Sequence, residues 1–591
     1  MKSVVCATLL VETSPQGLPL GAACIAGAIK NDFRTKGNFS VLLADFSLEE
    51  NEIVLAFQSG GEKAVSLLLA GRLAAEKPDF VCFSVYVWNR LILEETAREL
   101  KKILPECVCM AGGPEVTADP LSFKWFDFMI AGQGERAIPE LLSEISMSAR
   151  EFVASDFPAG RAFGIQGVYA PQKNYSPGEI IRACPLPPEN SVSPYLDGTL
   201  DPARYGGALW ELARGCPFKC SYCYESKGER KITYFPMERL EKELELFVEK
   251  NIPQVFVLDP TYNASKERAI KMLEIIGRKA PGMFFYFEAR AEFIDRELAR
   301  AFSKISCCLQ IGLQSSSPDV LKNVRRALDK KRFVKNIGFL NEEGVIFGFD
   351  LIYGLPGDDL KGFCDSIDFA LSLYPNNLEL FCLSVLPGTD LHDDARSFGL
   401  EWDKNPPYHV LRTPRFSAQD LKKAEELSFA ANLFYTKGRA VAWFNPILYV
   451  LGEKPSVFLK KFALFLEGEL EDTGPSAAPI RDWTAEKNAA QIEETQIRFV
   501  KKRFHEKGLD DFFSAAEDLI RMHAALGRCV FDGSESVLTT SRHPDDVMSE
   551  YGADIEFLVR KCGRQECRVH VFPGENGPDW RTLKKSSSSP R

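Results

Sequence analysis

The sequence predicts an α/β protein that consists of a parallel sheet flanked by helices, then a partial (β/α)6 barrel, then a mostly helical region. Three observations predict this order. Short apolar segments alternate with helical patterns over residues 1–145, the same alternation returns six times between 207 and 390, and helical patterns dominate beyond 393. Alternating strands and helices are typical of parallel sheets that are covered on both faces.

The first part contains five predicted strands, at 2–11, 40–46, 80–87, 107–110 and 126–130, with helices that include 19–29 and 89–103. This order predicts a Rossmann- or flavodoxin-like sheet, which binds ligands beyond the carboxyl ends of its strands. Glycines follow two of those ends, at 112–113 and at 132 and 134. Glycine lets the backbone approach a bulky ligand closely. A structural βα turn needs glycine too, so both interpretations stay open.

The second part follows a segment at 146–205 that is rich in proline and glycine and is predicted to be a linker with a short hairpin at 164–170. Six predicted strands come next, at 208–214, 254–258, 284–288, 308–313, 346–352 and 378–385. The helices between them lie at 236–250, 266–279, 295–304, 318–326, 331–343 and 360–372. Six such units predict a partial TIM-type barrel, in which active sites lie at the carboxyl ends of the strands.

The third part has predicted helices from Ser417 to about 437 and at 455–470, 492–507 and 511–526. A hairpin of 555–559 with 566–572 is expected near the end. Cys562 and Cys567 flank its turn, and a second cluster or a zinc site there is a weak hypothesis because C-x4-C alone is a weak signal. The predicted domains are therefore 1–145, 146–205, 206–392 and 393–591, the last of them related to the substrate.

The composition excludes several classes of protein. A net charge of −10 argues against a nucleic-acid partner. The 16 cysteines are scattered through apolar segments without a disulfide framework, which favours the cytoplasm. No apolar run reaches about 18 residues, so no membrane span is expected. The first eleven residues are predicted to form a strand rather than a signal peptide.

Three cysteines, Cys216, Cys220 and Cys223, follow the first predicted barrel strand with the spacing C-x3-C-x2-C. Thiolates are the usual ligands of iron–sulfur clusters. Three of them leave one iron of a cubane open, as in an open catalytic metal site. Structural zinc and inert thiols are the alternatives, although zinc commonly takes four ligands as separated C-x2-C pairs and the next cysteine is Cys307.

This loop resembles the signature of the radical S-adenosylmethionine (SAM) enzymes. The resemblance implies a [4Fe–4S] cluster that binds and cleaves SAM to give a 5′-deoxyadenosyl radical, with Tyr222 near the adenine. At the second strand end many members have Gly-Gly-Glu, whereas this chain has DPTYN at 259–263. A structural ion pair is the alternative for Glu288 and Arg290. The residues implied to contact SAM are Tyr222, Asp259, Thr261, Asn263, Glu288, Arg290, Gln314, Ser315, Arg325, Asp350, Gly354 and Leu386.

Residues 1–145 are similar to the cobalamin-binding domain of B12-dependent radical SAM proteins. The similarity lies in LPLG at 18–21, FSVYVW at 83–88, GGPE at 112–115 and GQGE at 132–135. All six histidines lie beyond residue 390, so this domain cannot supply a histidine ligand to cobalt. The residues implied to contact cobalamin are Leu18, Gly21, Ser84, Tyr86, Gly112, Gly113, Glu115, Gly132, Gly134 and Glu135.

Together the resemblances imply a cobalamin-dependent radical SAM enzyme, similar to the class B methyltransferases, that methylates an unactivated carbon through methylcobalamin. One alternative is a B12-binding radical SAM cyclase or rearrangement enzyme without methyl transfer. Another is a non-catalytic cobalamin- or metal-binding protein. The implied partners are a small-molecule or peptide substrate and an electron donor such as flavodoxin or ferredoxin, with neither a membrane nor nucleic acid.

Overall fold

A computed structural model of the chain describes residues 1–147, 158–171, 180–225, 231–471, 488–575 and 577–583. The chain forms two units. Unit one comprises Met1–Cys308 and Ser384–Val410, and unit two comprises Leu309–Leu383 and Leu411–Arg591. Two stretches of the predicted linker, 148–157 and 172–179, lie outside the described residues.

Unit one begins with a six-stranded sheet. Its elements are β1 (Lys2–Leu10), α1 (Leu20–Asn31), β2 (Phe39–Ser47), α2 (Asn51–Ala75), β3 (Phe80–Ser84), α3 (Arg90–Ile103), β4 (Val108–Gly112), α4 (Pro114–Ala118), β5 (Phe128–Ile130), α5 (Gly134–Met147) and β6 (Val168–Tyr169). The strand order is β2-β1-β3-β4-β5-β6. The first five strands are parallel, and β6 is antiparallel to β5.

Strand β1 explains why the first apolar segment is continuous. Val5 packs in an apolar cluster with residues of α2 and α3, whereas Val4 packs in a second cluster with residues of α1 and α5. Both faces of the strand are therefore buried, which is the arrangement expected for a central strand of a doubly covered parallel sheet.

The helix α2 is the one helix of the described chain that is long and apolar enough to cross a membrane by length and composition. From the sequence, no such segment is expected. Only 28% of the most apolar stretch of this helix is buried, and a single helix of this kind is weak evidence for a membrane span. The helix is kinked at Gly60 and Gly61, and Ile53, Val65 and Leu69 are fully buried in the cluster on one face of the sheet.

The hairpin predicted at 164–170 is wrong. Val168 and Tyr169 pair with Ile130 and Met129 of β5, so this segment adds an edge strand to the sheet instead of folding back on itself. Further along, the Tyr195 hydroxyl donates a hydrogen bond to the Leu209 carbonyl oxygen at 2.7 Å.

Unit one continues with β7 (Ala208–Trp210), β8 (Ala213–Arg214), β9 (Thr233–Tyr234), α6 (Met237–Glu249), β10 (Gln254–Val257), α7 (Lys266–Lys279), β11 (Phe284–Ala289) and α8 (Arg296–Phe302). Strand β10 pairs in parallel with both β7 and β11. The single strand predicted at 208–214 is wrong, because the Asp259 carboxylate accepts hydrogen bonds from the backbone N–H groups of Leu212 and Ala213. The chain turns there, and β8 pairs with β9 instead.

The later elements are β12 (Cys307–Gln314), α9 (Pro318–Asn323), α10 (Lys330–Glu342), β13 (Ile346–Tyr353), α11 (Leu360–Leu371), β14 (Asn377–Cys382), α12 (Asp390–Asp394), β15 (Glu401–Trp402) and β16 (Val410–Arg412). Within unit two the order is β12-β13-β14, with β13 and β14 parallel. These strands, those of unit one and the helices between them confirm the predicted α/β class.

The C-terminal region is mostly helical, as predicted. It contains α13 (Ala418–Ala431), a π-helical turn (Asn432–Lys437), α14 (Phe444–Leu451), α15 (Pro455–Glu471), α16 (Ala489–Glu506), α17 (Asp510–Asp532), β17 (Ser536–Thr540), α18 (Pro544–Val547), α19 (Ile555–Lys561), β18 (Cys567–Gly574) and β19 (Gly577–Leu583). The strand predicted at 555–559 is wrong, because the Asp554 carboxylate caps a helix there by accepting the Phe557 N–H. Strand β18 pairs with β17 and β19.

Candidate functional site

A cavity of about 1050 Å³ lies within unit one, at the carboxyl ends of strands β1, β3, β4 and β5. Pockets for small organic ligands measure roughly 300–1,000 Å³, so this cavity suits a large ligand. It brings together nine of the ten residues that the resemblance assigned to cobalamin, which are Leu18, Gly21, Ser84, Tyr86, Gly112, Gly113, Gly132, Gly134 and Glu135. The short sequence motifs therefore converge on one space.

Glu115 is the residue that does not line this cavity. Its carboxylate is buried and accepts hydrogen bonds from the Tyr408 hydroxyl at 2.6 Å and from Arg90 Nη1 at 2.9 Å. Arg90 also donates to Ser122 and stacks over Phe123. These contacts join α3 and α4 to the 384–410 segment of unit one and give Glu115 a structural role.

The neighbouring glycines at the end of β4 meet different constraints. Gly113 has a φ of +110°, and a Cβ there would lie 2.5 Å from the Val85 carbonyl oxygen. Its turn therefore requires glycine whatever the cavity contains. At Gly112 the nearest atom would be 3.8 Å away. Gly112 has room for a side chain, so the fold alone does not explain why glycine stands at this position.

The cavity wall also contains residues that were not predicted from the sequence, among them Cys24, Thr117, Arg182, Glu211, Arg214 and Tyr224. Burial raises the pKa of the Cys24 thiol above its usual range, and the charges of Glu135 and Glu211 raise it further. Burial also raises the pKa of Tyr86 to about 12. Both groups are therefore uncharged at neutral pH. The position of Arg214, two residues before Cys216, was the one local signal that could have been used.

The loop with the three cysteines begins directly after β8. Cys216 and Cys220 are buried, and Cys223 is partly exposed. Burial raises the pKa of Cys216, whereas the Phe218 N–H, the Thr261 hydroxyl and the charge of Arg290 act in the opposite direction. Two of the predicted SAM residues, Thr261 and Arg290, therefore lie beside a predicted cluster ligand.

Within the described residues, no group of three or more His, Cys, Asp or Glu side chains lies close enough to hold a metal ion. This finding covers the cysteine loop and also Cys562 and Cys567. Thiolates that bind separate irons of a cubane lie farther apart than the ligands of a single ion. The chemistry of the loop, three thiols at C-x3-C-x2-C, still fits a [4Fe–4S] cluster with one open iron.

The other predicted SAM residues of unit one have mixed surroundings. Burial raises the pKa of Asp259 to about 7, and its carboxylate holds the turn before β8. The Asn263 side chain bonds the backbone N–H and carbonyl of Arg290. Tyr222 is partly exposed and Glu288 is exposed. The Leu386 carbonyl oxygen accepts the Thr389 hydroxyl at 2.7 Å. Asp259 and Asn263 thus support the strand ends.

Five predicted SAM residues belong to unit two. Gln314 has a φ of +66°, and its buried Oε1 has no hydrogen-bond partner within the described chain, which leaves an acceptor for a ligand. Ser315 Oγ accepts the Ser317 N–H. Burial raises the pKa of Asp350, which accepts a hydrogen bond from Gln310 at 2.6 Å. Arg325 and Gly354 have positive φ values at the ends of α9 and β13.

The cavity at the edge of the parallel sheet suits a large organic cofactor. The three-cysteine loop that starts at the cavity wall suits an iron–sulfur cluster. The family model of the B12 binding domain matches residues 8–142, and that of the radical SAM superfamily matches residues 210–370. The chain therefore contains a B12-binding domain followed by a radical SAM domain. The two domains imply cobalamin, a [4Fe–4S] cluster and SAM as cofactors.

Two similar curated proteins are methyltransferases. The chain is 27% identical over 357 residues to the cobalamin-dependent radical SAM methyltransferase TokK of Streptomyces tokunonensis, covering 55% of this chain and 50% of that protein. It is 27% identical over 355 residues to the 2-(S-pantetheinyl)-carbapenam-3-carboxylate methyltransferase of Streptantibioticus cattleyicolor, covering 54% and 49%. The chain thus spans about half the length of these relatives.

Two solved structures share the fold. The cobalamin-dependent SAM radical enzyme OxsB with aqua-cobalamin bound matches 95% of this chain and 84% of its own, with a TM-score of 0.56 and 14% identity. The radical SAM methyltransferase TsrM of Kitasatospora setae with cobalamin and a [4Fe–4S] cluster matches 69% and 78%, with a TM-score of 0.50 and 15% identity. The match to OxsB extends the shared fold over the C-terminal region.

Proposed function

We propose that the protein is a cobalamin-dependent radical SAM methyltransferase that transfers a methyl group to an unactivated carbon. One observation carries the proposal. The cavity that gathers the glycine-rich strand ends is also walled by Arg214 and Gly215, directly before Cys216, and by Tyr224, directly after Cys223. A corrin and a cluster held at these two places would face a common space.

The residues divide into two binding sets. The glycine-rich ends of β4 and β5 give a corrin a wall without side chains, and Cys216, Cys220 and Cys223 are the ligands for the cluster. When bound, the two cofactors would supply the difficult chemistry: the cluster would provide the electron that splits SAM, and the cobalamin would provide the methyl group. Gln314 Oε1, a buried acceptor, is assigned to a polar hydrogen of SAM or the substrate.

The chain itself controls charge and water in this site. Cys24 and Tyr86 stay protonated because burial raises the pKa of both, so neither adds a negative charge beside the corrin. No histidine precedes residue 390, so the B12-binding domain could offer no imidazole to a bound corrin. Apolar atoms make up most of the cavity wall, which would favour exclusion of water once a cofactor fills the cavity.

The proposal is tested by anaerobic turnover of protein loaded with cluster and cobalamin. A methyltransferase that uses SAM twice gives both S-adenosylhomocysteine and 5′-deoxyadenosine. 5′-Deoxyadenosine without S-adenosylhomocysteine would favour a cyclase or rearrangement enzyme, and neither product would favour a non-catalytic binding protein. One relative is named as the methyltransferase of a pantetheinyl-carbapenam carboxylate, so organic acids, together with peptides, form the first substrate panel, with reduced flavodoxin or ferredoxin as electron donor.

Replacement of the loop cysteines tests the cluster assignment separately. Alanine at Cys216, Cys220 or Cys223 is expected to abolish the iron bound per chain and SAM cleavage, while the cavity still binds cobalamin. Cys307→Ala is the matched control, because Cys307 is buried at the start of β12 and its thiol contacts the Phe302 carbonyl. Iron retained in all three loop variants would refute the assignment.

A further inference from the structure

Arg214 connects the cavity wall to the start of the cysteine loop. Its Nη1 donates to Glu135 Oε1 at 2.7 Å and to Gln133 Oε1 at 3.1 Å. Its Nη2 donates to Glu211 Oε2 at 2.8 Å. Arg214, Gln133, Glu135 and Glu211 all line the cavity, and only 15% of the Arg214 side chain is exposed. The Arg214 side chain thus bonds the glycine-rich loop after β5, and Arg214 itself lies two residues before Cys216 in the chain.

Separate contacts hold the backbone at and just before Arg214. The Asp259 carboxylate fixes the N–H groups of Leu212 and Ala213 at 2.8 and 2.9 Å. Arg214 itself pairs with Thr233 in the β8–β9 ladder. The backbone at 212–214, which leads into the cysteine loop, is therefore firmly held. The hydrogen bonds of the Arg214 side chain connect this segment to the loop at 132–135.

We propose that Arg214 is a positioning residue that couples the two cofactor sites, so that a corrin bound against residues 132–135 changes the binding and the spectrum of the cluster at Cys216. The inference rests on the proposed function, because it assumes that cobalamin occupies the cavity. The role assigned to Arg214 is exerted through Glu135 and through the start of the cysteine loop.

Arginine is the side chain that this link requires. Its planar guanidinium meets three acceptors on two elements at once, which the single ammonium of lysine cannot do in the same geometry. Without it, Glu135 and Glu211 would be two partly buried carboxylates that share no cation. Coupled sites of this kind change each other's affinity by about 5- to 150-fold, and the effect is reciprocal.

The test measures the cobalamin Kd of the full-length protein with and without its cluster. In wild type we expect cluster loading to tighten hydroxocobalamin binding by about tenfold, which lies within the usual range for coupled sites. In Glu135→Gln, which keeps the size of the side chain, and in Arg214→Lys, this ratio is expected to fall to about one. The electron paramagnetic resonance signal of the reduced cluster should respond to cobalamin in wild type and lose that response in both variants.

Arg239→Gln is the matched control. Arg239 stacks on the same Phe235 ring as Arg214, is 18% exposed and pairs with Glu243, but it does not line the cavity. Its variant should keep both the wild-type ratio and the wild-type signal. If Glu135→Gln folds, binds both cofactors and keeps the tenfold ratio, the coupling is refuted and the proposed function stands. If wild type binds no cobalamin or no cluster, the proposed function itself fails.

Discussion

The two glycines at the end of β4 give a sharp prediction, because a methyl group added to each meets a different environment. In Gly113→Ala the new Cβ would lie 2.5 Å from the Val85 carbonyl oxygen and 3.0 Å from its nitrogen, at a φ of +110°. Both clashing atoms belong to the backbone, so neither can rotate away. Backbone strain costs about 1–3 kcal/mol and overpacking a similar amount, so we expect the free energy of unfolding to fall by about 2–6 kcal/mol.

Thermal unfolding of the cofactor-free protein measures this loss. At about 2–4 °C per kcal/mol, Gly113→Ala should lower the melting temperature of the B12-binding part by about 5–15 °C. Gly112→Ala is the matched neighbour, since its Cβ would have 3.8 Å of space. Its melting temperature should stay within about 2 °C of wild type.

Cobalamin binding completes the comparison. The methyl group of Gly112→Ala would occupy the cavity wall, and at a cost of about 1–3 kcal/mol the cobalamin Kd should rise roughly tenfold to a hundredfold. A Gly113→Ala protein as stable as wild type would refute the steric reasoning. A Gly112→Ala protein with unchanged cobalamin affinity would show that this wall does not face the ligand.

Three further predictions concern buried polar groups. Burial raises the pKa of Asp259 to about 7, so between about pH 4 and 7 the native state holds a proton that the unfolded state has lost, and stability falls as the pH rises through that window. Asp259→Asn should remove at most about 3 kcal/mol of the fall between pH 5 and 8, measured by urea unfolding at both pH values, and an unchanged fall would contradict this. Burial lowers the pKa of His523 to about 4, so the unfolded state takes up the proton first and stability falls as the pH drops from 6.5 to 4. His523→Leu should reduce this fall in the free energy of unfolding by at most about 3 kcal/mol, and the same pH dependence in variant and wild type would contradict the assignment. Tyr408→Phe leaves Glu115 with Arg90 alone and should cost about 1–3 kcal/mol in a thermal melt, whereas no change would refute a structural role for this hydroxyl.

Much of the fold could be predicted because its signals are local. The helix expected at 266–279 is present as Lys266–Lys279, where apolar spacing and charged ends agree. The errors arose where a contact distant in sequence or a cap decided the structure. Asp259, about 46 residues from the turn that it holds, interrupts the strand predicted at 208–214. Asp554 caps a helix in a segment whose apolar residues also suit a strand.

The site was predictable in parts. Glycine-rich strand ends and the cysteine spacing are local patterns, and nine of the ten residues assigned to cobalamin line one cavity. The pairing of Arg214 with Glu135 joins residues 79 positions apart and depends on the register of two elements, which no spacing reveals. Glu115 failed to reach the cavity because Arg90 and Tyr408, which the motif does not include, bind its carboxylate.

The central claim is that one chain holds a corrin and an iron–sulfur cluster beside a shared cavity. An absorption spectrum of anaerobically purified and reconstituted protein, with iron and cobalt analysis, tests it most directly. We expect corrin bands together with a broad iron–sulfur absorption, about four irons and one cobalt per chain, and loss of the iron alone when Cys216, Cys220 and Cys223 are replaced. A protein that takes up neither group, or that keeps its iron without these cysteines, would contradict the claim.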